Sequence, residues 1–93
     1  MIKSFQDKET EKIFNRHFSG KLSQNIQHLA RRKLVMWDAA PELNALRVPP
    51  GNRLEALKGN RKGQHSIRIN VQWRICFKWK AGDAYDVEIA DYH

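Results

Sequence analysis

The chain has 93 residues, with 17 Lys or Arg against 10 Asp or Glu and a formal charge of +7 at neutral pH. That length fits one domain, residues 1–93, with a small core, and three Trp, two Tyr and four Phe argue against a disordered basic tail. The apolar run Leu34–Trp37 is far too short for a membrane span, Met1–Asp7 lacks the apolar segment of a secretory signal, and Cys76, the lone cysteine, excludes an intrachain disulfide and offers no thiolate zinc site.

The expectation is a cytosolic protein with an anionic partner. Nucleic acid comes first and an anionic membrane surface second. Cys76 reads as a buried strand residue, although Arg74 and Lys78 at i±2 leave a reactive thiol open.

Taken in chain order, residues 2–5 read as a short strand. Asp7 is placed to cap a helix over roughly 8–18, with Glu9 and Glu11 near its positive end. The apolar side of that helix is Ile13, Phe14 and Phe18, and Gly20 is expected to end the segment. Ser23 is the candidate cap of a second helix. Its apolar face is Ile26, Leu29, Ala30, Leu34 and Trp37, while Arg31 and Arg32 point away from that face and Lys33 lies at its edge. Pro41 closes this helix and opens a further turn through Leu46. Pro49-Pro50-Gly51-Asn52 is a loop between a helical half and a strand-rich half.

The second half alternates. Ile67, Ile69, Val71, Trp73, Ile75, Phe77 and Trp79 take the odd positions; Arg68, Asn70, Gln72, Arg74, Cys76 and Lys78 take the even ones. Period two means strand with one apolar and one polar face. The run is too long for a single strand of usual length, so a turn is expected near Asn70-Val71-Gln72. Gly59–Gly63 is a turn before it and Ala81-Gly82-Asp83 a turn after it. Tyr85, Val87 and Ile89 form another alternating strand. A meander of three or four antiparallel strands with helices on one face is an α+β domain.

Charge is unevenly spread. Residues 47–80 hold nine Lys or Arg and one acid, Glu55, whereas residues 81–93 hold four acids and no Lys or Arg. Arg68, Arg74 and Lys78 share parity, which gives the sheet a basic, solvent-facing side suited to a polyanion. The chain closes on Asp91-Tyr92-His93. His is the usual general acid or base near neutral pH, and the strand leading into it would hold the terminus on the sheet. Together these parts suggest RNA cleavage by internal transesterification, with Lys58, Arg74 and His93 supplying cationic and acid groups. No metal-ligand cluster, cofactor motif or carboxylate pair stands out.

The stretch Pro49-Pro50-Gly51-Asn52-Arg53-Leu54-Glu55-Ala56-Leu57-Lys58-Gly59-Asn60-Arg61-Lys62-Gly63-Gln64 resembles the central signature of HigB-type toxins. Ser66-Ile67-Arg68-Ile69-Asn70, Gln72-Trp73-Arg74-Ile75-Cys76-Phe77, the closing Asp91-Tyr92-His93 and the opening Met1-Ile2-Lys3-Ser4-Phe5 are similar to the same family, so the resemblance spans essentially the whole chain. It implies a RelE-like single domain, α+β, with N-terminal helices on a twisted antiparallel sheet of about four strands. It implies a type II toxin that cuts messenger RNA in the ribosomal decoding site without a cofactor or metal. The implied partner is a HigA-like helix-turn-helix antitoxin, which in complex with the toxin represses their operon; no membrane partner is implied.

By the same resemblance, Lys58 would activate the 2′-hydroxyl or stabilise the phosphate, and Arg74 would bind the scissile phosphate. Asp91, Tyr92 and His93 would orient the nucleotide, with His93 as proton donor. Arg61, Lys62 and Arg68 would track RNA backbone or ribosomal RNA, and Arg53 and Asn70 join them as RNA-binding candidates. The chain departs from the family pattern at Val71, often polar, at His65, often aromatic, and at Glu55, where some members carry His. Two other functions compete: a ParE-like topoisomerase poison, whose relatives generally lack a terminal Asp-Tyr-His, and a non-catalytic nucleic-acid-binding module.

Overall fold

The computed structural model describes residues 1–17, 20, 22–39, 43 and 52–91, with the backbone alone at Trp37. Two helices, α1 (Lys8–Phe14) and α2 (Gln24–Asp38), precede four strands, β1 (Glu55–Ala56), β2 (Gln64–Arg68), β3 (Trp73–Lys80) and β4 (Asp83–Asp91). The strands pair antiparallel in sequence order. This is the α+β arrangement expected from the shift between helical and period-two patterning.

Asp7 occupies the N-cap of α1 in an extended conformation, without a side-chain cap bond. The helix is shorter than its apolar pattern suggested. It stops at Phe14 because Arg16 turns into the left-handed region, φ 67°. Arg16 N–H donates to the Ile13 carbonyl at 3.2 Å and His17 N–H to the Lys12 carbonyl at 2.7 Å. These two bonds form a Schellman closure, built here without glycine. Gly20 therefore does not end this helix. Left-handed backbone costs a non-glycine residue roughly 1–2 kcal/mol, and glycine gives back roughly 0.5–1 kcal/mol in unfolded-state entropy. Arg16→Gly is accordingly expected to stabilise the fold by about 0.5–1 kcal/mol, read as a raised urea midpoint.

Ser23 does cap α2: its Oγ accepts from Ile26 N–H at 3.3 Å. Ile26, Ala30 and Leu34 are buried, but Leu29 is 37% exposed, contrary to its expected core position. At 3.6 residues per turn it lies about 100° from the centre of the Ile26–Ala30–Leu34 line, which is the line that meets the sheet. Phe18 and Pro41, and most of the turn expected up to Leu46, lie outside the described residues, as does the Trp37 side chain.

The odd residues form the core face. Ile67, Ile75 and Phe77 are fully buried with Val87, Ala30 and Leu34, and Trp73, Trp79, Ile89, Phe5 and Phe14 pack around them; the even-numbered Ala84 joins this face because the β3–β4 register shifts between it and Val87. The long alternating run breaks where expected. Asn70 Oδ1 accepts from both Gln72 and Trp73 N–H at 2.8 Å, an Asx turn that leaves Val71 85% exposed at the tip. The β3–β4 hairpin turns through Ala81 and Gly82, both at positive φ, as a two-residue hairpin of matching twist requires.

Residues 2–5 do not form a regular strand. They run parallel to β4 through two isolated bridges, Ile2 to Ala84 and Phe5 to Val87. The reason is an irregularity in β4. The β3–β4 register shifts between Cys76 and Lys78, and Asp86 takes φ 52° there. Its N–H, turned away from the ladder, donates to Ser4 Oγ at 2.9 Å. Thr10 Oγ1 accepts from Ile89 N–H at 3.0 Å. The outer edge of β4 is thus covered rather than left open to another chain.

Candidate nucleic-acid interface

The register places Arg68 opposite Arg74, Ser66 opposite Cys76 and Gln64 opposite Lys78. All six side chains project from the face opposite the helices, as the even parity requires. That face is not simply basic and open. Arg74 Nη2 lies 3.0 Å from Glu55 Oε1, Arg61 Nη1 lies 2.6 Å from Glu88 Oε1, and Lys78 Nζ lies 3.3 Å from Asp86 Oδ2. For the last two the cause is topological. The acidic last segment folds as β4 directly against β3, so the strongest charge contrast along the chain becomes a set of neighbouring ion pairs.

Three arginines meet at one end of the sheet. A cleft of about 260 Å³ is lined by Arg53, Arg68, Asn70, Val71 and Arg74. Arg53 is exposed and holds φ 47°. This left-handed turn aims its carbonyl at Arg74, whose Nη2 donates to it at 3.0 Å. Arg74 Nε donates to the buried Ser66 Oγ at 2.8 Å. The Arg74 guanidinium is therefore held in one orientation, with its side chain only 12% exposed. Arg68 is half-buried beside it and makes no ion pair among the described residues.

β4 ends at the same place. Asp91 pairs with Trp73, and its Oδ2 accepts from Gln72 Nε2 at 3.3 Å. Tyr92 and His93 follow directly and lie outside the described residues. Lys58, Arg61 and Lys62 stand elsewhere. They belong to the connection entering β2, where Lys58 caps the short turn Gly59–Arg61. The cleft lies at the exit of β2, four steps on from Gln64 to Arg68, roughly 13 Å away at about 3.3 Å per residue. The fold thus brings together Arg53, Arg68, Asn70 and Arg74, ends β4 beside them at Asp91, whose register partner is Trp73, and sets the backbone of Lys58, Arg61 and Lys62 at the far end of β2, from which the Arg61 side chain reaches back to Glu88.

Two residues gained a role that sequence alone had not shown. Ser66 is a buried anchor for Arg74, and Glu55 is its ion-pair partner. Glu55 stood out in sequence as the single acid in a basic stretch and as a position where some HigB-type toxins carry His. Cys76 is fully buried beneath this face. Burial pushes its thiol pKa up, with Arg61 and Arg74 opposing Glu88 and Glu55 as smaller influences, so thiolate chemistry is disfavoured. Next in the chain to Arg53, the buried Asn52 accepts at Oδ1 from Lys33 Nζ. Burial, with Arg32 nearby, lowers the Lys33 pKa. A larger opening of about 410 Å³ between α1 and α2 is lined by residues such as Arg16, His17, His28 and Arg31; it holds none of the motif residues.

A family profile described as "RelE-like toxin of type II toxin-antitoxin system HigB" matches residues 3–93. Toxin HigB-1 of Vibrio cholerae serotype O1 (strain ATCC 39315 / El Tor Inaba N16961) is 42% identical over 85 residues, covering 90% of each chain. Endoribonuclease HigB of Proteus vulgaris is 37% identical over 94 residues, covering all of both chains. Among solved structures, the YoeB–YefM complex from Staphylococcus aureus aligns with a TM-score of 0.62 at 16% identity, covering 100% of this chain and 98% of that one. A YafQ variant from E. coli aligns with a TM-score of 0.59 at 15% identity, covering 98% and 91%. These two likenesses are of fold. The profile match over residues 3–93 and the two HigB relatives place the chain in the HigB-like family of RelE-like toxins from type II toxin–antitoxin systems.

Proposed function

We propose that this toxin is an endoribonuclease that cuts messenger RNA on the ribosome in the cytoplasm and is neutralised by a HigA-like helix-turn-helix antitoxin. Their complex acts on operator DNA through the antitoxin. The observation that carries the reading is the convergence of Arg53, Arg68 and Arg74 on one cleft, at the sheet end to which β4 delivers Asp91. The name of the Proteus vulgaris relative supports it.

The reaction is an internal transesterification. The 2′-oxygen forms a bond to the adjacent phosphorus and passes its proton to water. The bond from phosphorus to the 5′-oxygen breaks, and that oxygen takes a proton. Arg74 holds the scissile phosphate and stabilises the charge that grows on it. Arg53 and Arg68 hold the flanking backbone, with the Asn70 turn shaping the cleft beside them. Asp91 and Tyr92 orient the nucleotide, and His93 protonates the leaving oxygen. Lys58 adds positive charge from the entry end of β2, and Arg61 and Lys62 guide the strand beyond it. With an acid and cationic charge supplied by the chain, the proposed chemistry runs without a metal or cofactor.

Primer extension on messenger RNA after induction tests this. The wild type is expected to produce discrete breaks, and His93→Ala to lose them. Arg68→Ala is expected to bind RNA about tenfold more weakly, with the salt slope reduced by about 0.7, and to keep its stability within about 0.5 kcal/mol. Full growth arrest in Lys58→Ala, Arg74→Ala and His93→Ala alike would show that the site is wrongly assigned. DNA-damage signalling with intact messenger RNA would favour the topoisomerase alternative.

A further inference from the structure

Arg74 is the best-anchored cation of the cleft, and three of its N–H donors are already used. Nε serves Ser66, and Nη2 serves the Arg53 carbonyl and the Glu55 carboxylate. A phosphate takes an arginine through two parallel N–H bonds, so a strand entering the cleft competes with at least one of these partners. Ser66 is fully buried and the Arg53 carbonyl is main chain. Glu55 alone of the three is a half-exposed side chain, 49% accessible, on the two-residue edge strand β1. It is also the one partner that a polyanion repels.

We propose that Glu55 is an internal stand-in for an RNA phosphate: its carboxylate occupies Arg74 in the unliganded protein and is displaced when a strand engages the cleft. The inference rests on the reading of the cleft as the RNA site. It makes Glu55 a positioning residue that holds Arg74 ready and, at the same time, lowers the affinity for RNA. Local charge carries the consequence. With Glu55 in place, the Arg74 pair is neutral and the cleft presents the charges of Arg53 and Arg68. With Glu55 neutralised, it presents those of all three arginines.

The test is the binding of a short, uncleavable 2′-O-methyl oligoribonucleotide to the intact chain across a salt series. Glu55→Gln is expected to tighten binding about fivefold, the upper range for releasing a half-exposed ion pair. The slope of log affinity against log salt should steepen by about 0.7. Asp86→Asn is the matched control. It removes the same charge from the same face, at the Lys78 pair rather than at Arg74, and asparagine tolerates the positive φ of that position. It is expected to change binding less than twofold, roughly the effect of a distant screened charge.

Unchanged or weaker binding in Glu55→Gln overturns the proposal, and so does an equal gain in Asp86→Asn, which would make the effect one of net charge. Arg74→Ala separates the two levels. If it weakens binding while Glu55→Gln does not tighten it, the cleft is the RNA site and only the role of Glu55 fails. If Arg74→Ala leaves binding unchanged, the cleft reading fails and this inference with it.

Discussion

Replacing Arg74 by alanine is expected to lower messenger RNA cleavage by a factor of about 10²–10³, the usual effect of deleting one preorganised donor to a charged transition state. It is also expected to lower stability by about 1–3 kcal/mol, because a buried acceptor left without its donor costs about that much. The acceptor is Ser66 Oγ, fully buried and bonded to Arg74 Nε at 2.8 Å. The two losses have separate measurements: breaks per folded molecule by primer extension, and the urea midpoint. Arg74→Lys sharpens the test. A lysine restores the charge but not the fork of N–H donors that serves Ser66, the Arg53 carbonyl and Glu55 together. It should recover less than a tenth of the lost cleavage, about one decade or less by the same reasoning. Arg74→Ala with wild-type cleavage would remove the cleft from the reaction.

The largest effect on stability is expected at Phe77. It is fully buried at the centre of the core face, with the Trp79 ring edge-on at 6.3 Å and the His65 ring at 5.9 Å. Phe77→Ala should cost about 3–5 kcal/mol. A domain of this kind has roughly 5–15 kcal/mol in total. Toxicity should therefore fall through loss of folded protein rather than loss of chemistry. Urea unfolding should show a lower midpoint with an unchanged slope. A cost below about 1 kcal/mol would mean that Phe77 is not packed as described. The contrast with Arg68→Ala, predicted to lose RNA binding at constant stability, separates a core lesion from a site lesion.

Much of the fold is legible in residue order because its signals are local. Ser23 caps α2 through a bond three residues away. The period-two run sets which side chains of β2 and β3 face the helices. The turn at Asn70 is chemistry within four residues. Other features escaped because their causes are distant in sequence. The end of α1 depends on Arg16 accepting a left-handed conformation that local preference assigns to glycine. Leu29 has helical spacing but falls off the line of contact with the sheet, which only packing defines. The strand expected at residues 2–5 is reduced to two bridges by an irregularity in β4, some eighty residues later.

The site divides in the same way. Sequence by itself determined the family, the parity that puts Arg68 and Arg74 on one face, and an alternating last strand that leads into Asp91. Tertiary structure decided which of the chain's many cations make a cleft and which are neutralised. Arg53, just ahead of β1, joins Arg68 and Arg74 although both are remote from it in sequence, and Lys58 stands at the other end of β2. The basic stretch 47–80 and the acidic close of the chain looked like separate charges. Antiparallel pairing of β4 with β3 interleaves them, because strand neighbours lie about 5 Å apart whatever their distance along the chain. The net charge of +7 belongs to the sequence; where on the surface that charge remains available to an anion belongs to the fold.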